Sequence, residues 1–190
     1  MTKKMNGKSK LFLKIIVPIL IVVGVFYYLV TWNSSDIPIF PQPSQKLALK
    51  IINIPKDNAK LTLSNEELNQ LIDLYPIGEN SFGDLKVKTV YIRVLKGKFN
   101  IYFPSKYKGL NILLSTSGDT YLEKGKIVYS IDNFKVGKLN LPKSIVLNII
   151  ENKTLNGLSL KNNKIYIDTT GLPLKMKQLQ LKDGSISIKF

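Results

Sequence analysis

The sequence contains no cysteine and no histidine. The first absence excludes disulfides and thiolate nucleophiles. The two together exclude Cys/His zinc sites, and the second removes every triad that relies on an imidazole base. Acidic residues are scarce, 13 against 28 lysines and arginines, for a formal net charge of +15. They are also scattered, with no D-x-D or E-x-x-E pair to gather a metal ion. Glu66 and Glu67 are adjacent, but they fall where a helix begins, and the helix dipole accounts for them. A phosphate-cradling loop is missing too. Gly97, Gly109, Gly118, Gly125 and Gly137 stand singly, as turn or bulge glycines do. The stretch Ser105–Lys108 (SKYK) formally matches an S-x-x-K nucleophile motif. It has neither the helix start nor the partner motifs that chemistry needs, and it reads as a loop between strands. No catalytic constellation remains, and the chain is expected to be no enzyme, to carry no cofactor and to bind no nucleic acid.

Acid is wholly absent before Asp36, whereas Lys3, Lys4, Lys8, Lys10 and Lys14 crowd the amino terminus. Next comes LFLKIIVPILIVVGVFYYLVTW, Leu11 to Trp32, with Lys14 as its single charge. As a helix it would extend about 33 Å, enough for a hydrocarbon core of roughly 30 Å. Tyr27, Tyr28 and Trp32 sit at the end where an aromatic belt belongs, and the lysines place residues 1–10 in the cytoplasm. No pair of small residues follows to make a signal-peptidase site. The predicted organisation is a basic tail (1–10), a single transmembrane helix (11–32), a stiff linker (33–45) carrying Pro38, Pro41 and Pro43, and an extracytoplasmic domain (46–190). The linker would hold the domain a short distance off the membrane. From Asn33 onward the chain still has 23 basic residues against 13 acidic ones. That excess favours anionic headgroups or wall polymers.

Within the domain, LTLSNEELNQLIDLY carries a helix start. Ser64 is a good N-cap, and Glu67 stands at capping-box spacing. Leu68, Leu71, Ile72 and Tyr75 then fall on one face. After Gly83 the apolar period becomes two. Three hairpins are predicted. Around Lys96-Gly97, Val94 meets Phe99, Ile92 meets Ile101 and Val90 meets Phe103. Around Lys124-Gly125, Leu122 meets Ile127. Around Asp183-Gly184, Leu181 meets Ile186 and Leu179 meets Ile188. Asp-Gly is the stronger type I′ signal of the two dipeptides.

In IVYSIDNFKVGKLNL the apolar phase runs 127, 129, 131, then 134, 136, then 139, 141. Each slip would throw the apolar set to the wrong face unless a bulge absorbs it. Bulges are therefore expected at Asp132-Asn133 and Gly137-Lys138, in one long curling strand. Pro142 then opens a second helix carrying Ile145, Val146, Ile149 and Ile150. The expected fold is α+β, a strongly curved antiparallel sheet packed around one or two short helices.

The succession of basic tail, single anchor, LTLSNEELNQLI, alternating strands and YSIDNFKVGKLNLPKSIVLNII resembles the YpmS-like family of small single-pass envelope proteins. Its most specific part is the step Gly137, Leu139, Leu141, Pro142 into an apolar helix. That step is also distantly similar to TULIP-like lipid-binding domains, in which a curved sheet and a helix enclose an acyl-chain groove. The resemblance implies a lipid or amphiphile ligand. On this chain the expected lining is Phe134, Val136, Leu139 and Leu141 with Ile145, Val146 and Ile149, and the same residues could instead be plain core. The other function in view is structural: an anchored protein of the bacterial cell-wall zone that binds an envelope protein or an anionic wall polymer.

Overall fold

Period-two alternation governs the chain beyond residue 84, and it folds as a strongly curved antiparallel sheet. The computed structural model describes residues 7–32, 44–54, 59–74, 81–82, 84–151, 158–169 and 175–190. In chain order the first elements are α1 (Gly7–Val30), α2 (Gln45–Ile52), β1 (Lys60–Ser64) and α3 (Asn65–Leu74). Strands β2 (Ser81–Phe82), β3 (Leu85–Val87), β4 (Tyr91–Leu95), β5 (Lys98–Tyr107), β6 (Leu110–Glu123), β7 (Lys126–Val136) and β8 (Leu139–Leu141) follow. The chain ends with α4 (Lys143–Glu151), β9 (Leu158–Lys161), β10 (Lys164–Ile167), β11 (Gln178–Lys182) and β12 (Ser185–Lys189). Nine strands form a sheet in the order β2-β3-β5-β6-β7-β10-β9, with β4 also on β5 and β8 also on β7. A second sheet has the order β1-β12-β11.

The three hairpins keep their predicted registers: Val94 opposite Phe99, Leu122 opposite Ile127, and Leu181 opposite Ile186. The turn chemistry differs from expectation. Lys96-Gly97 and Lys124-Gly125 have both residues at positive φ, as type I′ turns require, whereas at Asp183-Gly184 only the glycine does. Tertiary contacts explain the exception. Asp183 Oδ1 accepts from Lys96 N at 3.0 Å, and Gly184 N donates to Val94 O at 3.0 Å, so this turn is fastened to its neighbour.

The first phase slip is a bulge. Gly118 pairs with Ile131 and Ser117 with Asn133, leaving Asp132 as the extra residue. Gly118 is required there, because a Cβ would collide with Ser130 O and crowd the Tyr129 ring. The second slip is not a bulge. Val136 pairs with Leu139 across Gly137-Lys138, so the chain turns back as the β7–β8 hairpin. Apolar residues three apart arise from a bulge or from a two-residue turn alike. Gly137 decides between them with φ +57°, the first position of a II′ turn. Ser105–Lys108 is likewise not a loop. Ser105 and Tyr107 pair within β5–β6, Ser105 is buried, and the turn is Lys108-Gly109.

What fills the curve also departs from expectation. The core joins Val94, Phe99, Tyr129 and Ile131 of the large sheet to Leu61, Leu63 and Ile186 of the small one, with Leu47 from α2 and Leu147 from α4. A second sheet, added to the expected one or two short helices, is the main filling. Strand β1 went unread because it pairs with β12, more than a hundred residues away.

The capping box at Ser64 forms as predicted: Glu67 N donates to Ser64 Oγ at 3.2 Å, and Ser64 N donates to Glu67 Oε2 at 2.9 Å. Tyr75 lies outside the described residues. The deepest side chains of α3 are polar, Asn69 and Gln70. Asn65 and Asn69, one turn apart, receive the backbone N–H groups of Val94 and Ile92 at 2.7 and 2.8 Å. Asn69 Nδ2 donates to Ile92 O at 2.7 Å. The pair thus satisfies the free edge of β4 as another strand would. Gln70 Oε1 accepts from Ser44, the N-cap of α2, a helix that the sequence reasoning did not anticipate.

Among the described residues no helix is long and apolar enough to cross a membrane. The side chains of α1 are described only from Ile16 onward, so the predicted 11–32 span lies partly outside them, as do residues 1–6 of the tail and residues 33–43 of the linker.

Candidate functional site

Strand β6 runs the length of the large sheet and defines its two ends. One end carries the Lys124-Gly125 turn and the other the Lys108-Gly109 turn. On the concave face, β5 and β6 align Phe103 with Leu114, and β7 continues the row with Val136 opposite Leu114 and Phe134 opposite Thr116. Strand β8 adds Leu141 opposite Phe134 and Leu139 opposite Val136. Four predicted residues, Phe134, Val136, Leu139 and Leu141, therefore share one face, and all four are half-buried. None belongs to the core cluster.

Helix α4 forms where predicted but turns differently. Among its described side chains Leu147 is the buried one, and Ile145 is 48% exposed. The side chains of Val146 and Ile149 lie outside the described residues. Phe103 and Leu114 join the same row without having been expected. Their partnership follows from the Lys108-Gly109 turn, a Lys-Gly hairpin of the same kind as those at Lys96-Gly97 and Lys124-Gly125.

A polar seam separates this apolar row from the core. The Tyr129 ring passes over Gly118, and its hydroxyl meets Thr116 Oγ1 at 3.1 Å. Thr116 in turn donates to Asn133 O at 3.0 Å. Burial pushes the Tyr129 phenol up to about 12, and the Thr116 bond offsets only part of this. The phenol is neutral at any ordinary pH and holds no proton to trade near neutrality. On the convex face Lys98 bridges Asp132 at 2.6 Å and Asp119 at 3.5 Å. The Asp132 hydrogen bond is the main reason its ammonium is held above the usual range. Among the described residues no group of three or more potential ligands is placed to hold a metal ion.

The end of α1 is part of this region. Strand β7 leaves β6 after Leu114, and once Gly137 N has donated to Leu113 O at 2.7 Å the edge of β6 is free from Leu110 to Ile112. Thr31 bridges Ile112 there, and Trp32 N donates to Asn111 O at 3.2 Å. Lys138 N donates to Leu29 O at 2.9 Å, satisfying one of the orphan carbonyls of the helix end. A Cβ on Gly137 would strike Leu29 O, and Val30 O lies 2.8 Å from that position. The Lys138 ammonium stands 3.4 Å over the Tyr28 ring. The expected picture of a helix separated from its domain by a spacer thus meets a helix whose last residues are hydrogen-bonded into the sheet. Chemically, the site is an apolar row, open to one side, beside the end of a long apolar helix. Comparisons with family models, with curated proteins and with solved structures find no match to this chain.

Proposed function

We propose that this chain is a single-pass, membrane-anchored module of the bacterial cell envelope whose extracytoplasmic domain binds lipid or another amphiphile without catalysis. The observation that carries the reading is the row Phe134, Val136, Leu139, Leu141, which stays half-buried outside the core cluster beside the end of α1. A packed interior would have drawn these side chains into the core; an acyl chain laid along them would complete their burial. The anchor is supported by the charge-free run from Ile15 to Val30 and by the exposure of α1 on every side. Its apolar side chains from Val17 to Tyr28 are 44–67% exposed, which water penalises and hydrocarbon does not. The resemblance to YpmS-like proteins, and more distantly to TULIP-like domains, belongs to the same proposal.

The test uses the full chain reconstituted in vesicles that contain a photoactivatable phospholipid. Cross-links are expected in peptides spanning Phe134–Leu141 as well as in α1. Leu139→Lys, which puts a charge into the row, is expected to abolish the first set and keep the second. Cross-links confined to α1 in the unaltered chain would remove the lipid reading.

A second reading has an observation of its own. The outer face of the small sheet holds a shallow depression of about 330 Å³ lined by Lys60, Gln178, Gln180, Ser187, Ile188 and Lys189. Lys60 and Lys189 stand directly opposite each other. Amides, a hydroxyl and two ammonium groups with no acid paired to them among the described residues suit an anionic wall polymer, and retention on such a polymer that is lost in Lys60→Gln/Lys189→Gln would favour the structural role.

A further inference from the structure

The end of the large sheet next to α1 has a charge distribution unlike its far end. Lys86 and Lys106 face each other across β3 and β5, both exposed. Like charges directly opposite destabilise a sheet. Lys88, Lys108, Lys135 and Lys138 stand around them, and Asp84 is the one acidic residue of residues 84–114 and 133–143. Its bridge to Lys108 is 3.5 Å long and joins two exposed side chains, so it offsets little. At the far end, by contrast, Lys98 is matched by Asp119 and Asp132, and Lys96 N by Asp183. The near tip also exposes two large apolar groups, Tyr107 at 42% and Leu110 at 39%. Beside them stands Trp32, half-buried, its indole N–H turned away from solvent and without an acceptor among the described residues.

Lysines around a turn that offers tyrosine, leucine and an adjacent tryptophan have the composition of a membrane interface. The position agrees with the composition. Thr31, Trp32 and Lys138 tie this end of the sheet to the last turn of α1, so whatever depth that turn takes in a bilayer, the tip shares. We infer that the Lys106–Leu110 turn, with Lys86, Lys88, Lys135 and Lys138 around it, docks on the anionic headgroups of the bilayer that α1 crosses. The inference rests on the anchor reading and deepens it. The domain stands on the membrane by two feet, the helix and this turn, and the apolar row of β7–β8 faces the acyl chains from which its ligand would come. The second foot has a cost in freedom that the first has already met, since a tethered contact forms at high effective concentration.

The native chain lacks cysteine, so single labels report cleanly. Lys108→Cys and Lys124→Cys lie in turns of one type at opposite ends of β6, and Val22→Cys lies within α1. Each carries a nitroxide in full-length protein reconstituted in phosphatidylcholine vesicles, with or without an equal part of phosphatidylglycerol. Collision with oxygen and with a water-soluble nickel complex measures depth. The label at 108 is expected at headgroup depth with phosphatidylglycerol, the label at 124 in water, and the label at 22 in hydrocarbon. Lys86→Gln/Lys106→Gln is expected to weaken docking by roughly tenfold or more, and raised salt to mimic it. A wet label at 108 with a lipid-buried label at 22 overturns the docking and leaves the anchor standing. A wet label at 22 removes the anchor, and the docking with it. Immobilisation of the 108 label by a soluble polyanion, without change in depth, would assign the lysines to a polymer and overturn the membrane contact.

Discussion

The two halves of the large sheet differ in how they treat the same kind of side chain. Beyond the Gly118–Asp132 bulge, Val94, Phe99, Tyr129 and Ile131 are buried against a second sheet and two helices. On the other side of the bulge, Phe134, Val136, Leu139 and Leu141 carry comparable apolar area on the same concave face and remain half-buried. The difference lies in what is stacked above. The small sheet supplies Leu61, Leu63 and Ile186 to one half only. A bulge, a glycine and a Tyr–Thr hydrogen bond mark the frontier. The cluster that joins the two sheets thus lies in the far half; nearer α1, Val87, Val90 and Ile112 are buried outside it, and the β7–β8 row is left half-buried.

The sharpest way to break that contrast is truncation on either side of the frontier. Leu63→Ala, at a side chain 2% exposed, is expected to cost about 3–4 kcal/mol through lost transfer energy and a cavity. Leu139→Ala, half-buried and outside the cluster, is expected to cost about 1 kcal/mol. Chemical denaturation of the two variants measures both, and equal losses would mean that the near half is core as well. Gly118→Ala attacks the frontier itself. Its methyl must displace the Ser130 carbonyl or the Tyr129 ring, and the expected cost is about 2–3 kcal/mol. Loss of well under 1 kcal/mol would mean that the bulge is soft and the two halves are not mechanically distinct.

Much of this architecture was legible in local patterns, because hairpins are local. Lys96-Gly97, Lys124-Gly125 and Asp183-Gly184 each bring apolar partners together within a dozen residues, and alternation fixes which face they share. The Asp132 bulge was visible for the same reason. What failed was non-local. The pairing of β1 with β12 leaves no mark in either segment, so the small sheet and its share of the core were missed. The docking of Thr31 on Ile112 is equally silent, since it depends on where β7 ends rather than on what Thr31 is. Asn65 and Asn69 look like ordinary polar residues of a helix and act as a substitute strand. Of the candidate site, the four strand residues could be read from phase. The orientation of α4 could not, because with Ile145, Val146, Leu147, Ile149 and Ile150 in one turn and a half, many faces look apolar.

Tyr129 offers a third probe, on the core side of the frontier. Burial raises its phenol in the folded state to about 12, from the ordinary 10.0. A group raised in the folded state lends stability that is fully present below the unfolded value and is lost as pH rises through the folded one. The window is therefore pH 10 to about 12, and roughly 2–3 kcal/mol is expected to disappear across it. Denaturation midpoints followed with pH should fall there in the native chain and fall less in Tyr129→Phe. Identical profiles would mean that the Tyr129 hydroxyl is solvated and that the seam is open.

The smallest expected effect lies where α2 and α3 meet. Burial works against charge on Glu67, but the hydrogen bonds from Lys50 and Ser64 outweigh it, and the carboxyl is held below its usual range. The Lys50 ammonium lies 2.7 Å from Glu67 Oε2. A depressed carboxylate contributes stability above its unfolded pKa and loses it as pH falls through the folded value. The contribution should accordingly be intact at neutral pH and vanish only as the solution is taken below the ordinary carboxylate range. Partial exposure screens the pair, so Glu67→Gln is expected to cost less than about 1 kcal/mol at neutral pH. The amide can still accept from Ser64 N but no longer pairs with an ammonium, so the variant should also lose the acid limb of the stability profile. Because Leu47 of α2 belongs to the core cluster and Asn65 and Asn69 of α3 bond to β4, lipid cross-linking to Phe134–Leu141 should be unchanged in Glu67→Gln. A variant that loses both acid sensitivity and lipid cross-links would show the halves to be coupled, and the division at the bulge would then be one of burial without being one of energy.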